Sequence, residues 1–265
     1  MSVLDTVRTA LVRRYLFARQ QVRHLQAGLA YLSGRPLPGT RFVLFGRGRS
    51  GTTALVSLLD DVPGVRCEGE ILRNAVPFPC SHVLGRAARC EAPTYGCKLL
   101  SYQVRDVQRF PGRPEDLLRT LHREHGFHIL YLRRTNRLRH ALPNIRARRD
   151  TFHRKLSDPA PGPTALPVAP DHVVEWMERS EALHAYEQRL LHDVPHLSLT
   201  YEAHIRHADA HQSTVDAICD YVGIDSGPVE SSYRKTAPAS LRDRVANYDE
   251  LAARLAGTRY EPYLE

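Results

Sequence analysis

Short apolar runs alternate with helical patterns along most of this chain. Each run is bounded by polar or turn residues, which is typical of strands buried on both faces of a parallel sheet. The runs are Phe42–Phe45, Thr94–Leu100, Phe127–Leu132 and His196–Thr200. Because strands alternate with helices, we expect an α/β fold with three layers, α/β/α, around a central parallel sheet of about four to five strands.

The helices are predicted by their apolar stripes and by their start and stop signals. Glu115 and Asp116 lie in the first turn of one helix, and Gly223 follows another as its stop. The predicted spans are Thr52–Leu59, Val83–Cys90, Pro114–His125, Thr135–Arg149, Asp171–His192 and Ser213–Val222.

The first 33 residues have the pattern of a long basic helix. Leu4, Val7 and Leu11 recur near one face, and arginines surround them. Such a helix packs on its own domain or on a second copy in a homodimer, or it makes a peripheral contact with a membrane. A linker rich in Gly and Pro follows at 34–39. We therefore divide the chain into the helix and linker, 1–38, and one domain, 39–265.

Composition narrows the classes of protein to which the chain can belong. The net charge is +8, which suits an anionic ligand, and no nucleic-acid-binding motif accompanies it, so we expect no nucleic-acid partner. Five scattered cysteines without a C-x-x-C pair favour a reducing compartment and no metal site. We find neither a membrane span nor a signal-peptide pattern and expect a cytoplasmic location.

A glycine-rich loop joins the first strand to the first helix, and its basic residues indicate an anion site. The loop is Gly-Arg-Gly-Arg-Ser-Gly, residues 46–51. Free N–H groups and the dipole at a helix start both favour an anion there. Gly46 and Gly51 have the spacing of a nucleotide P-loop, but Thr52 occupies the position of the lysine that reaches the terminal phosphates. The loop is thus P-loop-like, but it favours an anion other than a triphosphate with its metal.

The motif Arg-Ser-Gly-Thr-Thr, residues 49–53, resembles the 5′-phosphosulfate loop of sulfotransferases that use 3′-phosphoadenosine 5′-phosphosulfate (PAPS). The stretch 60–70 is similar to tyrosylprotein sulfotransferases and bacterial carbohydrate sulfotransferases. The resemblance is close over 41–70 and loose over the remainder of 41–265. It implies transfer of a sulfuryl group from PAPS to a hydroxyl of a carbohydrate, lipid or other small molecule, with no metal. The loop residues implied to bind PAPS are Arg47, Gly48, Arg49, Ser50, Gly51, Thr52 and Thr53.

The same resemblance implies three catalytic residues. Glu70 follows Arg49 by twenty-one residues, as the base does in tyrosylprotein enzymes, and Glu68 is the competing carboxylate. In an extended segment these two carboxylates would lie on the same side. Lys98, at the end of the second strand, would contact the transferred group, and Arg49 would stabilise charge on the bridging oxygen.

A second group of residues resembles the family's site for the 3′-phosphate. It comprises Arg134, Arg146, Tyr201, Ser232 and Lys235. The family's serine falls at Leu142 or Pro143, depending on the register, and neither residue has a side-chain donor. Asn144 is the alternative donor.

A Pro-rich segment near 150–170 is long and poor in apolar residues, so we expect a mobile loop that closes over the acceptor. Two other hypotheses stay open. One is a P-loop kinase of a small molecule. The other is a non-catalytic protein that binds anions or nucleic acid, in which Glu70 and Lys98 would have no reason to approach the loop.

Overall fold

A computed structural model describes residue 22 and residues 29–108, 116–149, 165–229 and 240–264, with the backbone alone over 146–149. The basic helix predicted over 1–33 and the mobile loop predicted near 150–170 lie largely outside these residues.

Five strands form one parallel sheet, which confirms the predicted α/β class. They are β1 (Thr40–Gly46), β2 (Val65–Glu70), β3 (Thr94–Leu100), β4 (His128–Arg133) and β5 (Leu197–Thr200). Their order is β2-β3-β1-β4-β5, and every neighbouring pair is parallel. The chain leaves the central strand β1 towards one edge and later crosses to β4 on its other side. Open sheets of this kind bind ligands at the carboxyl end of the strand where the order reverses.

β2 is the strand that the apolar pattern did not indicate. It lies at the edge of the sheet, and only Val65 and Cys67 are buried in the core. An edge strand buries less apolar surface than a central strand, so its sequence lacks the continuous apolar run that predicted the other four.

Besides the helical residues 29–32, eight α-helices lie in the described ranges. They are α1 (Thr52–Asp60), α2 (Pro79–Ala87), α3 (Asp116–Arg123), α4 (Arg137–Arg149), α5 (Pro170–Leu191), α6 (Tyr201–His204), α7 (His211–Val222) and α8 (Tyr248–Leu255). Six correspond to predicted helices. The largest difference is at α2, which begins at Pro79 and not at Val83, because proline fits the first turn of a helix.

Apolar clusters cover both faces of the sheet, as a three-layer architecture requires. Val43 and Phe45 of β1 pack with residues of α2, α3 and α5 on one face. Phe42 and Leu44 pack with residues of α1 and α7 on the other. Successive side chains of a strand point to opposite faces, and burial of both faces explains the unbroken apolar run of β1.

A third apolar cluster lies around α4, the helix that follows β4. Leu138 and Leu142 of α4 pack there with Met177 of α5 and Leu251 of α8. The cluster fixes the position of α4, which, through His140, borders the glycine-rich loop.

We predict that Gly46→Ala destabilises the fold because β1 approaches β4 closely at this glycine. A Cβ on Gly46 would lie 2.2 Å from the carbonyl oxygen of Leu132, which cannot move without shifting β4. The expected loss is about 1–3 kcal/mol of unfolding free energy, measured by urea denaturation. Gly39→Ala is the control, since its Cβ would meet only the Pro93 carbonyl oxygen at 3.8 Å. Equal stability of the two variants would contradict this packing argument.

Candidate active site

The glycine-rich loop after β1 presents its backbone as an anion cradle. Gly51 caps α1 with φ 83°, and Arg49 is the non-glycine residue with positive φ, 63°, in the described part of the chain. Left-handed residues turn successive N–H groups towards one point, which creates a concave anion site. The conformation costs about 1–2 kcal/mol at a residue with a Cβ, so the fold maintains it against strain. The Arg49 side chain is exposed, and Ser50 is buried.

A buried histidine of α4 contacts the glycine-rich loop. His140 Nε2 lies 2.7 Å from the Gly48 carbonyl oxygen and 3.4 Å from Ser50 Oγ. Burial lowers the pKa of His140 to about 4, so the ring is neutral at pH 7. Since a carbonyl oxygen only accepts, Nε2 carries the proton and donates it to Gly48. Trp176 packs edge-on against the ring, with the ring centroids 5.1 Å apart.

Arg47 faces the protein interior, contrary to the expectation that both loop arginines meet the anion. Its Nε donates to both oxygens of Glu187, at 2.9 and 3.0 Å. Ser101 Oγ and Tyr131 Oη donate to the same carboxylate at 2.7 Å each. Burial alone would raise the pKa of Glu187, but the hydrogen bond with His184 and the charge of Arg47 hold it below its ordinary value. The Arg47 guanidinium is therefore occupied in the core, and only its backbone can serve the cradle.

Lys98 and Glu70 lie beside the start of α1, so the structure brings both predicted residues to the loop. Lys98 Nζ is 3.1 Å from Thr53 Oγ1 and 3.2 Å from Glu70 Oε1. The lysine is only 3% exposed, whereas the glutamate is partly open to solvent. Glu70 Oε2 accepts a hydrogen bond of 2.7 Å from Gln103 Nε2. A carboxylate, a buried ammonium and a hydroxyl thus meet at the mouth of the cradle.

Glu68 points to the other face of the sheet, so the expectation that it shares a side with Glu70 is wrong. The register against β3 shifts at Gly69, pairing Glu68 with Cys97 and Glu70 with Lys98. One extra residue in a strand reverses its alternation of faces. Glu68 accepts hydrogen bonds from Tyr95 Oη at 2.9 Å and from Arg86 Nε at 2.9 Å. It is therefore a structural carboxylate with partners of its own.

Arg134 and Tyr201 adjoin the loop on its other side. The Arg134 guanidinium stacks over the Tyr201 ring at 4.4 Å, and a Cβ on Gly51 would lie 2.8 Å from that same ring. Burial lowers the pKa of Arg134, and its Nε has no hydrogen-bond partner. Glu202 Oε1 lies 3.8 Å from that Nε, but the carboxylate accepts from the N–H groups of Thr135 and Asn136 at 3.0 and 3.2 Å. The guanidinium is thus desolvated and only weakly paired.

Three further arginines, Arg139, Arg206 and Arg244, interact with Arg134 or with one another, and no sequence motif indicated them. Burial and then the charge of Arg206 lower the pKa of Arg139, and burial and then the charge of Arg139 lower the pKa of Arg244. The charges of Arg244 and Arg139 likewise lower the pKa of Arg134. Arg134 follows β4, Arg139 lies in α4, Arg206 follows α6 and Arg244 precedes α8, so no local motif joins them. We call these four residues the cationic patch, and Arg134 is its member beside the loop.

The position of the family's serine is apolar in this structure. Leu142 is buried in the third apolar cluster. Asn144, the alternative donor, gives its side-chain N–H to the His140 carbonyl oxygen at 2.8 Å. The side chain of Arg146 and residues Ser232 and Lys235 lie outside the described residues. Arg134 and Tyr201 are therefore the members of the predicted second group that the structure brings to the loop.

The described part of the chain has neither a metal-binding group nor a membrane-crossing helix. No set of three or more His, Cys, Asp or Glu residues is arranged there to hold a metal ion. Likewise, none of the helices in the described ranges combines the length and apolar character needed to cross a bilayer.

Comparison with known proteins gave a structural likeness but no match in sequence. No family model matches the chain, and no curated protein matches it in sequence. Among solved structures, a sulfotransferase from Alicyclobacillus acidocaldarius matches with a TM-score of 0.46 and 14% identity, over 86% of this chain and 96% of that one. Because the likeness is this distant, the function must be argued from the residues of the site.

We predict that His140 makes stability depend on pH. Its pKa is lowered from 6.5 to about 4 in the fold, so the unfolded chain takes up the proton first as the pH falls. The contribution of the neutral His140 ring to the free energy of unfolding is complete above pH 6.5. It is lost between pH 6.5 and about pH 4, and the loss amounts to as much as about 3 kcal/mol. His140→Gln keeps a donor for Gly48 but cannot titrate. Its unfolding free energy should fall less than that of the wild type between pH 7 and pH 4, and equal losses would contradict the assignment.

Proposed function

We propose that the chain is a PAPS-dependent sulfotransferase that acts on a hydroxyl of a carbohydrate, lipid or other small molecule. The single observation that carries the proposal is the meeting of Glu70, Lys98 and Thr53 at the start of α1. A protein that only bound an anion would have no use for a carboxylate at that point, since the carboxylate repels the ligand. A transferase that activates a hydroxyl needs one.

The reaction follows from these positions. Glu70 accepts the proton of the acceptor hydroxyl, and the freed oxygen attacks the sulfur in line. The bond between the sulfur and the bridging phosphate oxygen breaks, and 3′-phosphoadenosine 5′-phosphate leaves. Lys98, buried and already bonded to Thr53, stabilises charge on the sulfuryl oxygens. Arg49 and the N–H groups of the loop stabilise the charge that develops on the leaving phosphate.

The cationic patch supports a second phosphate on the nucleotide. Arg134 stacks on Tyr201 beside the loop and repels Arg139 and Arg244. A dianionic 3′-phosphate would relieve this repulsion and would supply the acceptor that Arg134 Nε lacks. In this proposal, the patch takes over the role of the family's serine, whose position is apolar here.

A P-loop kinase fits the site less well. Thr52, at the position of the P-loop lysine, is buried, and the ammonium group at the loop comes from β3 instead, as Lys98. A metal-bound triphosphate would also place its γ-phosphate against the carboxylate of Glu70.

We predict that Glu70→Gln abolishes sulfuryl transfer and leaves nucleotide binding nearly intact. The loss in kcat should be about 10²–10⁴-fold, because an amide cannot accept the hydroxyl proton. Transfer of labelled sulfate from PAPS to a panel of sugars, sterols and phenols measures turnover, and calorimetry with the 3′,5′-bisphosphate measures binding. Glu68→Gln is the control. It should lower stability, through its bonds to Arg86 and Tyr95, and leave kcat largely unchanged. The reverse pattern would move the base to Glu68.

We predict that the protein prefers 3′-phosphoadenosine 5′-phosphate over AMP by about 10²–10³ in affinity, since two charge-assisted hydrogen bonds contribute about 3–5 kcal/mol. Thermal shift should detect the preference, with no gain from Mg-ATP. Arg134→Gln should erase it and leave AMP binding almost unchanged. Arg137→Gln should keep it, because Arg137 pairs with Glu181 outside the patch. If Mg-ATP stabilises best and the 3′-phosphate adds nothing, the kinase replaces the sulfotransferase.

A further inference from the structure

We propose that Gln103 is a positioning residue that holds the Glu70 carboxylate in a fixed orientation. The inference rests on the proposed function, because it concerns the same carboxylate. Gln103 follows β3 and is completely buried, although it is polar and borders a site that is open to solvent.

The orientation of the Gln103 amide is fixed by the backbone. Its Oε1 accepts the N–H of Leu100 at 3.3 Å. A backbone N–H only donates, so the oxygen of the amide must face Leu100 and the nitrogen must face Glu70. The nitrogen then donates to Glu70 Oε2 at 2.7 Å and lies 3.3 Å from Tyr102 Oη.

Both partners of Glu70 are therefore donors. Lys98 Nζ holds Oε1 and Gln103 Nε2 holds Oε2. Each oxygen of the carboxylate is thus held by its own donor. The arrangement fixes the orientation of the carboxylate and leaves its remaining lone pairs for an acceptor hydroxyl.

The local backbone explains how a glutamine reaches this place. Gln103 begins a π-helical turn, Gln103–Val107, two residues after β3 ends at Leu100. π-Helical turns are rare and occur frequently at functional sites. This turn places the Gln103 amide between the N–H of Leu100 and the carboxylate of Glu70, the last residue of β2.

The test compares two buried glutamines. Gln108 also makes three side-chain hydrogen bonds, to Val76, Leu72 and Asn74, but all of them are to the backbone. Gln103→Met and Gln108→Met should therefore lower the melting temperature to a similar extent. Only Gln103→Met should lower kcat, by about 10–100-fold, the loss typical when a partner that orients a functional group is removed. The affinity for 3′-phosphoadenosine 5′-phosphate should stay unchanged in both variants.

A second substitution at Gln103 separates an effect on the orientation of Glu70 from an effect on folding. Gln103→Glu keeps the shape and the acceptor for Leu100 but places a like charge against Glu70, so kcat should fall at least as far as in Gln103→Met. Tyr102→Phe removes the hydroxyl 3.3 Å from Gln103 Nε2 but leaves the bonds of Gln103 to Leu100 and Glu70, so it should keep kcat near the wild-type value. Normal kcat in Gln103→Met, or an equal loss of kcat in Gln108→Met, would overturn the inference. Absence of PAPS turnover by the wild type would instead overturn the proposed function itself.

Discussion

The buried ion pair between Arg47 and Glu187 holds the glycine-rich loop against the body of the fold. Glu187 is fully buried on α5 and accepts hydrogen bonds from the loop, from the end of β3 and from β4. One carboxylate thus joins the three central strands at the edge where the site forms. Removing one partner of a buried ion pair costs about 3–5 kcal/mol, a large part of the stability of an ordinary domain. The strained backbone at Arg49 persists because the residues on either side of it are anchored: Arg47 by this pair and Ser50 by its burial.

Charge balance then determines what the exposed side of the loop can do. On one side of the cradle, Lys98 is neutralised by Glu70. On the other, Glu202 is the carboxylate that faces Arg134, and it accepts hydrogen bonds from the backbone at the start of α4. The site therefore has an ion pair where a hydroxyl would lose its proton, and a weakly paired cation, Arg134, where a nucleotide would add negative charge. This asymmetry supports transfer to a neutral acceptor from an anionic donor.

Much of the fold and part of the site follow from the sequence. The central strands were predictable because burial on both faces demands unbroken apolar runs, and the loop was predictable because a helix start with glycines and arginines has few other uses. The buried ion pair of Arg47 was not predictable, since its partner Glu187 is 140 residues away along the chain. The same holds for His140, which contacts the loop, and for Arg244, which only the tertiary fold brings near Arg134. A local sequence pattern cannot indicate contacts between residues that lie far apart in the chain.

The irregularity of β2 at Gly69 has a consequence for comparing this chain with others. The two carboxylates stand two positions apart, yet Glu68 pairs with Arg86 and Tyr95, whereas Glu70 pairs with Lys98 beside the loop. An alignment that counts residues from the loop, or that places a gap one position to either side, would superimpose Glu68 of one chain on the counterpart of Glu70 in another. Matching such chains therefore requires the pairing partners in β3, Cys97 for one carboxylate and Lys98 for the other, and not the distance along the sequence.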